Sequence, residues 1–201
     1  NLSRATKIPL IPIDHMEGHL LVSLLFQGNE KSKISPSGGS PAGRQMTNAK
    51  TSFPAIALLV SGGHTQLVLM KGIGKYKVIG ETRDDAAGEC FDKTARILGL
   101  PYPGGPAIDK LAAFPKPGLG RRPNTGLRIR LTRPMMHTKD YDFSFSGLKT
   151  AVLYDFQSRT TKVQKSKEYI RTMAKEIQQA IIDVLVAKTM KAVREYQPKS
   201  K

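Results

Sequence analysis

Hydrophobic positions along this chain follow two periods in succession. Ala55-Ile56-Ala57-Leu58-Leu59-Val60 is a nearly unbroken apolar run, the pattern of a strand covered on both faces. Ser61-Gly62-Gly63-His64 interrupts it, and Thr65-Gln66-Leu67-Val68-Leu69-Met70 resumes as a second strand. Gly72-Ile73-Gly74 predicts another turn and Tyr76 to Thr82 a third strand, so this region reads as a meander of hairpins. The period then lengthens. A helix is predicted from Ala86 to Leu98, capped by Asp84 or Asp85 and stopped by Gly99. Pro101-Tyr102-Pro103-Gly104-Gly105-Pro106 reads as a rigid turn, followed by a short helix from Ala107 to Ala113. Phe143-Ser144-Phe145-Ser146-Gly147-Leu148 opens an apolar stretch that runs to Phe156, and Ser158 to Lys167 reads as a polar connection. The last element is a long amphipathic helix from Lys167 to Tyr196, with Ile170, Met173, Ile177, Ile181, Val184 and Val193 near one face.

Toward the other end, Ile8-Pro9-Leu10-Ile11-Pro12-Ile13 suits a strand end at a sheet edge. Asp14 is placed to cap a helix from His15 to Phe26, whose apolar face is Leu20, Leu21, Leu24 and Leu25. Residues 27–52, rich in Ser, Gly, Pro, Asn and Lys, read as a flexible insertion. The chain opens on Asn1 rather than Met, and the long final helix carries more apolar face than the preceding strands need. Residues 1–201 therefore read as the central portion of a longer α/β protein.

Charge sharpens the picture. Lys plus Arg is 32 and Asp plus Glu 16, a net charge of +16 that favours a polyanionic partner. From Lys110 to Lys139 there is no acidic residue, while Lys110, Lys116, Arg121, Arg122, Arg128, Arg130, Arg133 and Lys139 supply eight positive charges. Residues 114–139 are read as a basic insertion. Phosphate contact and a solvated, solubilising loop explain it equally well, and the shortage of aromatics gives base stacking less support. No apolar run reaches the ~18 residues of a membrane span. The lone Cys90 excludes an internal disulfide framework and a cysteine-rich zinc site, and reads as a small core residue. A reducing, cytoplasm-like compartment follows as the default.

His15-Met16-Glu17-Gly18-His19 puts two imidazoles at i and i+4, on one face of a helix. Two neutral imidazoles there could share one transition metal. Spacing alone accounts equally well for surface or capping histidines. A metal needs a further ligand; Asp14 is a local candidate, although capping is its simpler role. This is not the zincin pattern, because Glu17 falls one position late for a protease base. Ser61-Gly62-Gly63 lacks Walker and dinucleotide-fold spacing; alone it reads as an ordinary hairpin turn, although such glycines also let a backbone approach a ligand. Asp92 beside Lys93 reads as a solvated ion pair, and Asp109, one helical turn past Gly105, is a candidate acceptor for ribose hydroxyls.

Three stretches taken together closely resemble one family: IPIDHMEGHLL, ALLVSGGHTQLVLMKGIGKYKVIGETRDDAAGECFDKTARILGLPYPGGPAIDKLA, and DYDFSFSGLKTAV. It is the TsaD family of tRNA threonylcarbamoyladenosine transferases. The resemblance implies an actin-like, sugar-kinase-like fold, here a partial one with a mixed sheet and flanking helices. It implies acyl transfer from threonylcarbamoyl-AMP to the adenosine beside the anticodon, in tRNAs reading codons that begin with A. It further implies one divalent metal, iron or zinc, held by His15 and His19, with a third protein ligand beyond Lys201. By the same resemblance Leu59, Val60, Ser61, Gly62 and Gly63 match the substrate-binding strand and turn. Asp92, Gly105 and Asp109 match positions that hold the adenylate. The implied partners are tRNA, threonylcarbamoyl-AMP and accessory proteins of the pathway, in the cytoplasm or in an organelle such as the mitochondrion. Residue 14 departs from the pattern, being Asp where many bacterial relatives have His. The competing readings are a catalytically incomplete tRNA- or partner-binding module on the same scaffold, an actin-like small-molecule kinase and a metalloprotease.

Overall fold

The computed structural model describes residues 18–20, 53–113, 127 and 129–196. Three antiparallel strands form a sheet in the order β1 (Ala55–Val60), β2 (Thr65–Gly72), β3 (Lys75–Glu81). Register runs from Ala55 opposite Met70 to Val60 opposite Thr65, and from Gln66 opposite Glu81 to Gly72 opposite Lys75. The turn between β2 and β3 is closed by Gly74 at φ 72°, a left-handed conformation that glycine adopts without strain. The segment entering Phe143 extends the sheet in parallel: Phe143 donates to the Glu81 carbonyl at 3.0 Å, and the Arg83 amide donates to the Phe143 carbonyl at 3.0 Å. This close approach explains Gly80, where a Cβ would stand 2.3 Å from the Tyr141 carbonyl oxygen.

Four consecutive buried residues in β2, Leu67 to Met70, follow from its central position with cover on both faces. One face, carrying Ile56, Leu58, Leu67 and Ile79, packs into the main core. The other gathers Val68, Met70, Ala55, Ala57, Leu59 and Tyr76 around Leu20, from the helical residues 18–20.

The main core is built by helices α1 (Ala87–Ile97), α2 (Gly104–Ala112), α3 (Ser146–Ser158) and α5 (Lys167–Tyr196), with a single helical turn α4 (Thr161–Gln164) before α5. At 1.5 Å per residue the 30-residue α5 is roughly 45 Å long. Its buried side is Tyr169, Met173, Ile177, Ala180, Ile181, Val184, Lys188 and Ala192, a 3–4 spacing. Each large aliphatic there contributes about 2 kcal/mol of burial. Ile170 and Val193, expected on the same face, are only half-buried. Among the described residues no helix is long and apolar enough to cross a membrane.

The structure corrects several local expectations. Neither Asp84 nor Asp85 caps α1: the Ala87 amide donates to Thr65 Oγ1 at 2.8 Å, and the Ala86 amide to Glu89 at 3.4 Å. Gly104-Gly105-Pro106 is the first turn of α2 rather than a loop before it, because Asp92 accepts the Gly104 amide at 2.7 Å and starts the helix there. The polar connection contains α4. The expected helix from His15 to Phe26 falls within the described residues only at 18–20, which are helical.

Candidate substrate-binding surface

The turn after β1 is held by its own first side chain. Ser61 Oγ accepts the amides of Gly63 at 3.3 Å and His64 at 3.0 Å, while the Ser61 amide donates to the His64 carbonyl at 2.8 Å. Ser61, Gly62, Gly63 and His64 are all exposed, and Val60 is 46% exposed. The turn rests on the start of α1. Gly88 donates its amide to the Ser61 carbonyl at 3.2 Å, and a Cβ on Gly88 would lie 2.7 Å from that oxygen and 2.9 Å from the Gly62 Cα. The amides of Ala86, Ala87 and Gly88 are thus taken by Glu89, Thr65 and Ser61.

Asp92 stands one helical turn beyond Gly88 and is half-buried. It is not paired with Lys93, whose ammonium contacts Asp85 at 2.6 Å and Glu89 at 2.8 Å. Those two carboxylates raise the Lys93 pKa and keep the cation at the start of α1. Asp92 instead joins α1 to α2 through the Gly104 amide. The helices approach so closely that a Cβ on Gly104 would meet Asp92 Cα, Phe91 O and Ala95 Cβ, each at 2.7 Å. Gly105 follows with open space around its Cα, and Asp109 lies one turn further on. Asp109 is exposed and accepts Gln178 Nε2 of α5 at 2.8 Å.

Ser61, Gly62, Gly88, Asp92, Gly104, Gly105 and Asp109 thus form a chain of neighbours across one turn and two helix beginnings. Gly62 and Gly105 leave backbone accessible, Gly88 and Gly104 allow the close packing beneath them, and the carboxylates of Asp92 and Asp109 are hydrogen-bond acceptors. Sequence reading missed Gly88 and Thr65 as parts of this frame. A glycine inside a helical pattern was the available signal for Gly88. Nothing local marks Thr65, whose hydroxyl acts 22 residues away.

Of the two histidines singled out for a metal, His15 lies outside the described residues. His19 is exposed on the helical residues 18–20, and its neighbour Leu20 is buried in the cluster that Leu59 packs against. His19 is therefore carried on the sheet face that Leu59 covers, two residues before Ser61. Among the described residues, no three His, Cys, Asp or Glu side chains converge as a metal-ligand group. Cys90 is fully buried, and burial, with Asp85 and Asp84 nearby, pushes its thiol up to about 12.

In the basic segment, Arg133 is committed internally. Its guanidinium binds Glu176 and reaches Asp183 at 2.9 Å, and it also donates to the Leu131 carbonyl at 2.7 Å. Arg130 is exposed.

Comparison with known proteins agrees with this arrangement of motifs. Residues 41–201 match the family described as TsaD: tRNA N6-adenosine threonylcarbamoyltransferase. A protein of that name from Chromobacterium violaceum is 43% identical over 195 residues, covering 96% of this chain and 48% of its own length. Namesakes from Bordetella petrii and Aromatoleum aromaticum are each 44% identical, covering 95% and 97% of this chain. These cover 46% and 47% of the relatives' own lengths, so the chain spans about half the length of the curated relatives it matches. The match over residues 41–201 includes the Ser61 turn, α1 with Asp92, the start of α2 and α3, and this chain belongs to the TsaD family.

Proposed function

We propose that this chain is the central part of a tRNA N6-adenosine threonylcarbamoyltransferase. The reaction transfers the threonylcarbamoyl group of threonylcarbamoyl-AMP to the exocyclic amine of the adenosine next to the anticodon, in tRNAs reading codons that begin with A. The amine attacks the donor carbonyl carbon, a C–N bond forms, AMP leaves with the electron pair of the broken C–O bond, and the amine gives up one proton to solvent. Joint binding of donor and acceptor lowers the barrier by orientation, with no covalent enzyme intermediate.

The observation that supports this reading most directly is the chain of contacts from the Ser61 turn through Gly88, Asp92 and Gly104 to the start of α2. In this proposal Leu59, Val60, Ser61, Gly62 and Gly63 present the strand end and open backbone to the donor. Gly105 gives the adenylate close access to the start of α2, while Asp92 and Asp109 supply carboxylate acceptors for ribose hydroxyls. The finer fold reading is an actin-like, sugar-kinase-like scaffold; an antiparallel meander extended by a parallel bridge at Phe143 is compatible with its mixed sheet.

The proposal includes one divalent metal, iron or zinc, with His15 and His19 as two of its ligands. The donor chemistry fits: imidazole suits both ions, and exposed His19 lies outside the apolar core. The metal would polarise the donor as a Lewis acid. tRNA and accessory proteins of the same pathway are the proposed partners, in the cytoplasm or an organelle such as the mitochondrion.

The test is metal analysis and tRNA modification by the complete enzyme with His15→Ala or His19→Ala. Both variants should lose bound metal and fail to form the modified nucleoside. Full modification by both would sink the site assignment. Retained tRNA binding with no modification by the unaltered enzyme would favour the incomplete binding module.

A further inference from the structure

Residues 127, 129–133, 136 and 137 and the middle of α5 line an open cavity of about 870 Å³ that shares no residue with the Ser61 turn. Its size falls within the roughly 300–1,000 Å³ of small-ligand sites. Ile129 and Met136 give it apolar lining, whereas Thr172, Glu176 and Asp183 line it from α5. Arg133 neutralises only one of the two carboxylates that it binds, leaving that triad at a formal charge of −1. Arg130, which is exposed, also lines the cavity and balances the remaining charge, so a phosphate finds its cation there rather than at the committed Arg133. The rest of the interior, apolar at Ile129 and Met136 and acidic at Glu176 and Asp183, favours a flat group with apolar faces and hydrogen-donating edges. Glu176 Oε1 accepts the Leu131 amide at 3.0 Å as well as Arg133. A carboxylate has about four acceptor positions, so capacity for an incoming amine is left. Arg130 belongs to a stretch from Lys110 to Lys139 that contains no acidic residue.

We propose that this cavity receives one unstacked base of single-stranded RNA, with the adjoining phosphate held at Arg130. The inference rests on the transferase reading, which supplies RNA as the partner. A base bearing an exocyclic amine presents apolar faces to Ile129 and Met136 and donates from its edge to Glu176 or Asp183. The polarisable Met136 thioether suits contact with an aromatic ring. RNA is read by this kind of capture at loops, whereas a paired helix offers mainly backbone and 2′-hydroxyls.

Fluorescence anisotropy with the complete enzyme tests this, using an anticodon stem–loop and a fully paired hairpin of equal length and charge. Thr172→Leu adds bulk to the cavity from the half-buried side of α5. It should weaken stem–loop binding by roughly tenfold, as expected for the loss of one base contact, and leave the paired hairpin unchanged. Met136→Ala, which widens the cavity instead, should give the same loop-selective loss if Thr172→Leu lowers the melting temperature. Arg130→Ala should weaken both RNAs and reduce the salt dependence by about one counterion. Equal loss for both RNAs, or no loss, in the two cavity variants would overturn the base pocket. If the unaltered enzyme binds neither RNA, the transferase reading fails with it. If it binds and the cavity variants do not matter, only this inference fails.

Discussion

Asp84 accepts the Ser146 hydroxyl at 2.6 Å and the Ser146 amide at 3.2 Å, a contact that spans 62 residues of sequence. The same carboxylate takes the Ser144 hydroxyl at 2.6 Å and the Phe145 amide at 2.8 Å. It thus caps α3 from the segment that leads into α1, fixing two helix beginnings against each other. Since α1 carries Gly88 beneath the Ser61 turn, this cap also helps to hold the candidate substrate surface.

Removal of that carboxylate should loosen both helices. Asp84→Ala is expected to cost about 2 kcal/mol, the upper range for losing an N-cap, and Asp84→Asn less. Burial alone would push the Asp84 carboxyl up, but the hydroxyls of Ser144 and Ser146 and the amides of Phe145 and Ser146 outweigh it and hold the pKa at about 2. A depressed folded-state pKa makes a contribution that is complete above the unfolded value and is lost as pH falls. From the ordinary 3.8 down to about 2, the wild type should progressively lose stability that Asp84→Ala never had. Urea melts at pH 6 and pH 2.5 measure this; an unchanged difference between the two proteins would disprove it.

Lys188 provides a second, independent link. Its side chain is fully buried, donating to Thr138 Oγ1 at 2.6 Å, the Asp140 carbonyl at 2.9 Å and Asp140 Oδ1 at 3.1 Å. Asp140 also meets Arg83 at 2.9 Å. The Thr138 hydroxyl and the Lys188 ammonium hold the Asp140 pKa at about 2. Lys188→Met keeps much of the volume but strips these acceptors of their donor, with an expected loss of about 2–4 kcal/mol. Asp140 should then titrate nearer its ordinary value, so the stability gap between the wild type and Lys188→Met should narrow as pH falls from 3.8 toward about 2. Urea melts at pH 6 and pH 2.5 followed by circular dichroism should detect that narrowing.

Elements governed by local pattern were legible in the sequence. The three strands follow from apolar runs broken by Gly62-Gly63 and Gly72–Gly74, and the end of α1 from Gly99, which adopts φ 70°. The span of α5 was equally readable from its periodicity. Long-range polar contacts were not. Thr65, Asp84 and Asp92 each bind the beginning of a helix distant in sequence, and no local spacing specifies the partner. Buried Lys188 was hidden for the same reason: a lysine in a helical pattern reads as solvated until Thr138 and Asp140 are brought to it. For the candidate site, the glycine turn and the aspartates were visible as residues, but their adjacency depends on Gly88 and Gly104 permitting close packing.

Cys90 should be inert in the folded protein. Its thiol is buried and pushed up to about 12, so the reactive thiolate is scarce near neutrality. Iodoacetamide at pH 7.5 should label it only under denaturing conditions. Rapid labelling without unfolding would contradict its placement against the Phe145 carbonyl, 3.8 Å from Sγ.

Two glycine substitutions separate packing from ligand binding. Helix propensity alone predicts that Gly88→Ala stabilises α1 by about 1 kcal/mol. The added Cβ would instead meet backbone at 2.7–3.0 Å, and backbone cannot rotate aside, so a net loss of about 1–3 kcal/mol is expected. Gly105→Ala meets nothing within 4 Å and should leave the melting temperature unchanged or raise it slightly. If a ligand approaches the start of α2 as proposed, the same methyl group stands in its path. Gly105→Ala should then retain stability yet weaken binding of a non-hydrolysable threonylcarbamoyl-AMP analogue by tenfold or more (about 1.4 kcal/mol). Calorimetry and thermal melting on the complete enzyme give the two readouts. Unaltered affinity in a normally folded Gly105→Ala protein would remove Gly105 from the substrate surface while leaving the packing roles of Gly88 and Gly104 intact.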